Sequence, residues 1–338
     1  MSTPLYQAHR VRHFYGDKNV LDIEDLTIPA GSIVGLSGPN GSGKTTLLKL
    51  LAFAMKPTQG EIRFNGRAEV PLSPRVRSRV TLLTQKPYLL KRSVFDNVAY
   101  GLHIRKDTNG LEQRVARALD SVGLDFSQFH QRSWHELSGG EAQRVAMAAR
   151  LILTPEALLL DEPVASVDSE SARLIRRASL AARDEWGCTL IIVSHDLAWL
   201  HACSDTRLSI DRGRIFATGE ESVFPPPYLR TQDGRLFKDL GNGERILLSP
   251  GNGKTAFIQK SRIRIRRPGE DDNGYDNRIT ARITQMLLEK KSGNVLTTLA
   301  LDGFSIILSL APDQVAESGL YPGKQVTTLF HSNDITWR

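Results

Sequence analysis

Eight residues, Gly38-Pro-Asn-Gly-Ser-Gly-Lys44-Thr45, restrict what this chain can fold into more than any other feature. Their spacing matches a phosphate-binding loop. In that pattern consecutive backbone N–H groups cradle phosphates, the lysine reaches the terminal oxygens and the hydroxyl is offered to magnesium. The pattern demands a strand before it and a helix after it. Ile33-Val-Gly-Leu36 is a short apolar run feeding the glycines, and Thr45 to Met55 carries apolar positions at helical spacing. A glycine-rich turn that binds nothing would need neither flank. Further along, Gly251-Asn-Gly-Lys-Thr255 copies part of the pattern, but Leu248 occupies the required first glycine position, so the segment reads as a hairpin turn.

A chain of 338 residues with 40% hydrophobic content can bury one large core and a second, smaller one, because single cores stop growing near ~250–300 residues. No run approaches the ~18 consecutive apolar residues of a membrane span. The opening Met-Ser-Thr-Pro-Leu-Tyr lacks the regions of a signal peptide, and a cytosolic protein is expected. Cys188 and Cys203 are too few for a disulfide framework and read as buried free thiols. The net charge of +7 favours acidic partners such as nucleotides or lipid headgroups. It does not by itself mark a nucleic-acid binder, and none is expected.

Residues 1 to 224 alternate strand and helix signals. Val80-Thr-Leu-Leu83, Ala157-Leu-Leu-Leu160 and Leu190-Ile-Ile-Val193 suit buried parallel strands, each leading into a polar or charged residue at its C-terminal end. Ligands of open α/β sheets bind beyond those ends. Leu5 to Arg12, Leu21 to Ile28 and Gly60 to Phe64 read as antiparallel strands of a flanking sheet. Pro225-Pro-Pro227 interrupts regular structure, which places a linker over 225–243. Beyond it, strand-like pieces between Gly, Asn, Asp and Pro turns predict a small all-β domain over 244–338. Lys260-Ser-Arg-Ile-Arg-Ile-Arg266 alternates cations with apolar residues, which puts four cations on one strand face, either as an anion site or as a solvated sheet face.

A second chemical element is Leu158-Leu-Leu-Asp161-Glu162. An aspartate ending an apolar strand can hold magnesium through its water shell, and Glu162 is placed as general base to polarise an attacking water. A third is Leu137-Ser138-Gly139-Gly140-Glu141, which precedes a helical stretch and so puts Ser138 and glycine N–H groups at an anion-attracting helix N-terminus. Together with the loop, this last sequence resembles the ATP-binding cassette of ABC transporters.

The resemblance implies ATP and Mg2+ as cofactors and assigns further residues. Gly38, Pro39, Asn40, Gly41, Ser42, Gly43, Lys44, Thr45 and Thr46 would hold the ATP phosphates, and Thr45, Gln85 and Asp161 the magnesium. Gln85 would also touch the water and sense a membrane partner, His195 in Val193-Ser-His-Asp196 would contact the γ-phosphate, and Tyr15 or its neighbour Phe14 would stack on adenine. The signature Ser138 to Glu141 would lie over the γ-phosphate of a second copy, giving a nucleotide-sandwiched dimer. The family usually shows glutamine where Glu141 stands, and leucine where Val167 precedes Asp168 in the dimer-contacting loop Ala165 to Asp168.

The stretch between Lys44 and Ser138 leaves room for a compact helical subdomain over about 86–150 but not for a coiled-coil arm. One cassette without membrane spans implies a separate membrane permease and, indirectly, an extracytoplasmic solute-binding protein. The region after Gln85 is similar to that of importer cassettes, where Tyr88, Leu89, Leu90 and Phe95 would either line the permease groove or pack internally. The tail, with Asn277-Arg278 and Leu320-Tyr-Pro-Gly-Lys324, resembles the appended barrel domains of oxyanion, sugar and polyamine importers. The expectation is therefore an α/β P-loop NTPase cassette with a flanking antiparallel sheet and a helical subdomain, followed by a barrel-like regulatory β domain. It would be an ATP hydrolase peripheral to the cytoplasmic side of the membrane that energises import, above all of an oxyanion such as tungstate or molybdate. The alternatives are import of sulfate, sugar or polyamine, and a soluble cassette acting on a cytosolic complex.

Overall fold

The computed structural model describes the chain except residues 1–3, 212, 218–220, 225, 242, 252–254, 268, 271, 290–291, 302–303 and 338. The chain divides into two compact units, Met1–Phe216 and Ala217–Arg338.

The first unit opens with β1 (Pro4–Tyr15), β2 (Lys18–Pro29), β3 (Ile33–Ser37), α1 (Lys44–Leu51), β4 (Gln59–Phe64), β5 (Arg67–Ala68), α2 (Pro74–Arg77) and β6 (Val80–Leu83). Helices follow as α3 (Val94–Ile104), α4 (Leu111–Ser121), α5 (Phe126–Phe129) and α6 (Gly139–Leu151). It closes with β7 (Ala157–Asp161), α7 (Ser169–Trp186), β8 (Thr189–Val193), α8 (Leu197–Cys203), β9 (Thr206–Asp211) and β10 (Arg214–Ala217). Two sheets result. One has the order β2-β1-β4-β5 and is antiparallel, and the other runs β10-β9-β3-β8-β7-β6 with β9, β3, β8, β7 and β6 parallel.

The alternation of side chains along each strand divides the apolar residues of the parallel sheet between two cores. Leu158, Leu160, Leu190 and Ile192 face α6 and the other helices of the 94–151 region. Ala157, Leu159, Ile191 and Val193 face α1 and the antiparallel sheet. Both faces are covered, which is why these strands read as unbroken apolar runs. The carboxyl ends of β3, β7 and β8 are thereby brought side by side, with Asp161 opposite Val193.

The 86–97 segment has no regular structure of its own until α3 and is organised around the buried Asn97. Its amide donates to the carbonyls of Leu90 (3.1 Å) and Ser93 (2.9 Å), and its oxygen accepts from the Leu90 N–H at 2.7 Å. No feature of the sequence singled out this residue. Tyr88 stands exposed, whereas Leu89 and Phe95 pack partly against the helical core.

The second unit contains β11 (Glu221–Phe224), β12 (Leu229–Arg230), β13 (Leu236–Asp239), β14 (Arg245–Leu247), β15 (Ala256–Gln259), β16 (Arg264–Ile265) and β17 (Asn277–Leu288). It continues with β18 (Val295–Leu301), β19 (Phe304–Leu310), the short helix α9 (Pro312–Glu317), β20 (Gln325–Phe330) and β21 (Ile335–Trp337). They form three antiparallel sheets, β11-β15-β21, β12-β13-β14 and β16-β20-β17-β18-β19, around one apolar cluster that includes Phe224, Ile258, Ile279 and Phe330.

Four expectations for this region are corrected. The boundary falls at 216/217 rather than 224/225, because β11 pairs with β15 inside the second unit. The 225–243 stretch is not a linker: β12 and β13 lie within it, and β13 pairs with β14. The Gly251–Thr255 segment, of which 252–254 lie outside the described residues, stands between β14 and β15, which belong to different sheets and so form no hairpin. The cationic run is also no single strand face. Lys260–Arg262 is a turn of 3-10 helix, and Lys260 is buried against Glu289 at 2.7 Å.

Replacing Asn97 by alanine leaves several buried backbone groups of the 86–97 segment unpaired, so a loss of about 2 kcal/mol or more is expected. Denaturant unfolding together with proteolysis of this segment would measure it.

Candidate active site

The loop between β3 and α1 depends on backbone conformations that only glycine adopts without strain. Gly38, Gly41 and Gly43 have φ of 146°, 77° and 110°. A Cβ on Gly38 would lie 2.2 Å from the Ile210 carbonyl oxygen, and one on Gly43 would lie 2.8 Å from that of Val20. Gly43 caps α1 without any side-chain cap, and the first turn holds no acidic residue, which leaves its N–H groups and positive dipole end for an anion.

Lys44 folds back over the loop and donates to the carbonyls of Gly38 (2.8 Å) and Pro39 (3.0 Å). Burial pushes its ammonium pKa down, and the nearby Glu162 and Asp161 oppose that shift. Thr45 donates from Oγ1 to Asp161 Oδ2 at 2.8 Å. Burial raises the Asp161 carboxyl above its ordinary range, while the Thr45 hydroxyl, Lys44 and Lys49 hold the rise in check.

Glu162, one residue past β7, is buried and adopts φ of 49°, an uncommon conformation for a side chain of its size. Its N–H donates to the Val193 carbonyl at 3.0 Å, and its Oε2 accepts from the His195 N–H at 3.2 Å. Oε1 makes no hydrogen bond and lies 3.3 Å from His195 Nε2. The His195 loop is itself braced, because Asp196 caps α8 through the Trp199 N–H (2.9 Å) and pairs with Arg176 of α7.

These groups line one cleft of about 350 Å³, which Tyr15, Asn40, Thr46 and Gln85 complete. Tyr15 is half exposed and rests edge-to-face on the buried His13, whereas Phe14 does not line the cleft. Gly38, Pro39 and Ser42 also stand outside the lining: the first two hold Lys44, and Ser42 is buried. Lys18, the first residue of β2, does line it and was not foreseen, since a lone exposed lysine carries no local signal.

Ser138 and Glu141 stand apart from this cleft, at the start of α6. Ser138 Oγ accepts from the Glu141 N–H (3.2 Å) and Glu141 Oε2 accepts from the Ser138 N–H (2.8 Å), so each caps the other. A carboxylate makes this reciprocal cap as well as an amide would, which accounts for glutamate at this position. Gly140 approaches the next segment so closely that a Cβ would lie 2.5 Å from Asp168 Oδ2 and 2.6 Å from Ser171 Oγ. Asp168 in turn caps α7 through the Ser171 N–H (2.8 Å).

A glycine loop opening a helix, a carboxylate pair ending the neighbouring strand and a separately capped Ser-Gly-Gly helix define a P-loop nucleotide-binding cassette. Residues 21–165 match the ABC transporter family. The chain is 37% identical over 202 residues to the tungstate uptake system ATP-binding protein TupC of Peptoclostridium acidaminophilum, covering 60% of this chain and 92% of that protein. It is 34% identical over 229 residues to the spermidine/putrescine import ATP-binding protein PotA of Mesoplasma florum, covering 67% of this chain and 65% of that one. The chain thus spans slightly less than two thirds of that second relative. Its fold is similar, with a TM-score of 0.58 and 25% identity, to the dimeric post-hydrolysis state of the ATP-binding cassette MJ0796 bound to ADP and Pi, over 62% of this chain and 96% of that one. The chain belongs to the ATP-binding proteins of the ABC transporter family.

The Ser138 N–H first, then the Ser138 hydroxyl and the Arg132 and Arg144 cations, hold the Glu141 carboxyl below its ordinary range. A depressed folded-state pKa stabilises fully above the unfolded value and loses its effect as pH falls through the folded one. Glu141→Ala should cost about 1 kcal/mol near neutrality. The difference from the wild type should shrink in acid, whereas Glu141→Gln keeps the cap without the pH dependence. Thermal unfolding of the three proteins between about pH 7 and pH 3 checks this.

Proposed function

We propose that this chain is the ATP-hydrolysing subunit that energises solute import through a separate membrane permease. The observation that carries the reading is the convergence of Lys44, the Thr45–Asp161 pair and the Glu162–His195 pair on one cleft at the carboxyl ends of a parallel sheet. Loop N–H groups and Lys44 would bind the β- and γ-phosphates, and Tyr15 would offer its face to the base. The Thr45 hydroxyl and Asp161 carboxylate are adjacent hard oxygen donors, and Gln85 borders the same cleft, so the residues fit Mg2+, which takes few protein ligands besides phosphate oxygens. When bound, the ion would neutralise developing phosphate charge. Glu162 would take a proton from the attacking water, with His195 beside its free oxygen to hold the γ-phosphate.

Ser138, Gly139, Gly140 and Glu141 belong to this site only if a second copy supplies them, since they do not line the cleft of their own chain. A homodimer enclosing two nucleotides follows, and a dimeric cassette with bound ADP and Pi among similar structures supports it. Among the described residues no helix is long and apolar enough to cross a membrane, so the permease would be another chain and this subunit peripheral on the cytoplasmic face. An extracytoplasmic binding protein would deliver the solute.

The near full-length match to a tungstate uptake protein favours an oxyanion such as tungstate or molybdate, and the spermidine/putrescine relative keeps polyamines as the alternative. For the second unit a structural role is favoured over oxyanion regulation. Lys260 pairs with Glu289, Arg262 with Asp334, and Arg266 and Arg278 with Asp272, while Arg264 donates to the Tyr275 hydroxyl. Asn277 is likewise engaged, with the Leu247 backbone. An incoming anion would have to displace carboxylates from most of these cations. A closed barrel is one arrangement compatible with the three sheets.

Glu162→Gln is expected to lower phosphate release by orders of magnitude while leaving ATP binding intact and trapping an ATP-bound dimer. Single-turnover kinetics with light scattering would show this. Turnover retained in that variant would remove Glu162 as the base.

A further inference from the structure

We propose that Gln143 is a positioning residue for Glu162, fixing through the Pro163 carbonyl the backbone turn that aims the carboxylate. The inference rests on the ATPase reading above and concerns how the base is held. Gln143 lies on α6 and is 2% exposed. Its Nε2 donates to the Pro163 carbonyl at 3.2 Å, and its Oε1 is buried without a hydrogen-bond partner. An apolar side chain of equal length would fill this space and remove the unpaired Oε1, at the cost of the donor to the Pro163 carbonyl, so packing alone does not call for glutamine.

Glu162 needs such support. A non-glycine residue held at a φ of 49° carries strain that persists only where the surroundings overdetermine it. Three hydrogen bonds bracket the turn. Glu162 donates from N–H to Val193, its carbonyl accepts from the Ala165 N–H at 3.3 Å, and the next carbonyl, that of Pro163, accepts from Gln143. The first comes from β8, the second from within the turn, and only the third from α6.

Helix α6 also meets the following segment at Gly140, whose Cα has no room for a side chain beside Asp168 and Ser171. The helix that begins at Ser138 therefore touches the 162–171 segment at both Gly140 and Gln143. A second copy seated on the Ser138 end would bear on this chain's own base through the same rigid helix.

Q143M keeps the length and volume of the side chain and removes the donor; Q143H keeps an N–H donor. With the full-length protein and MgATP, Q143M is expected to lower kcat about tenfold or more, while KM and the affinity for a fluorescent ATP analogue stay at wild-type values. Q143H should retain more activity than Q143M. A wild-type kcat in folded Q143M, or a rise in KM with kcat unchanged, would overturn the proposal. If Q143M unfolds, Q143A assayed below its thermal midpoint gives the same reading: lowered kcat supports the role and unchanged kcat removes it. Wild-type protein runs alongside, and absence of turnover there would count against the ATPase reading instead.

Discussion

The hydrogen bond from Thr45 to Asp161 joins residues 116 positions apart at 2.8 Å, and the chemistry of the first unit depends on that meeting. It is a consequence of sheet order. With β3, β8 and β7 parallel and adjacent, the loop that follows β3 and the carboxylates that follow β7 emerge at the same edge, and so does His195 after β8. Two apolar cores, one on each face, hold those strands in register. A shift of one residue in β7 would turn Leu158 and Leu160 to the wrong core and move both carboxylates.

The site concentrates charge where solvation is poor. Lys44 and Asp161 are both pushed toward their neutral forms by burial, and each is drawn back by the opposite charge of the other. Nucleotide phosphates would add negative charge beside Asp161 and Glu162. The cationic lysine and the N-terminal end of α1 supply the positive charge that offsets it. The strained Glu162 turn adds a mechanical requirement, met by contacts from the end of β8 and from α6.

How much of this was legible in the sequence depends on whether each feature is local. Glycines that take positive φ, a lysine and hydroxyl at fixed spacing, and apolar runs ending in Gln, Asp or His carry their meaning within a few residues, and the cleft gathers Lys44, Thr45, Gln85, Asp161, Glu162 and His195 as those patterns imply. Tyr15 rather than Phe14 reaches it, a choice the two adjacent aromatics leave open in the sequence. In the second unit, strands of only two to four residues gave too little periodicity to be seen, so 225–243 read as a linker. Lys260 read as a surface cation because its partner Glu289 is distant in sequence. Asn97 and Gln143 escaped notice for another reason: their importance lies in the backbone groups they meet, which carry no residue-specific signal.

The central claim is that the loop of one chain and the Ser138 helix of another complete one catalytic site. Mixing two individually inactive variants tests it most directly. Lys44→Ala lacks a working loop, and Ser138→Arg blocks the helix start that would face the partner's nucleotide. A mixed dimer would contain one site with an intact loop from the Ser138→Arg chain and an intact helix from the Lys44→Ala chain. Recovery of ATP hydrolysis on mixing, above the sum of the separate rates, is the expected result; a mixture that stays at that sum would contradict the composite site.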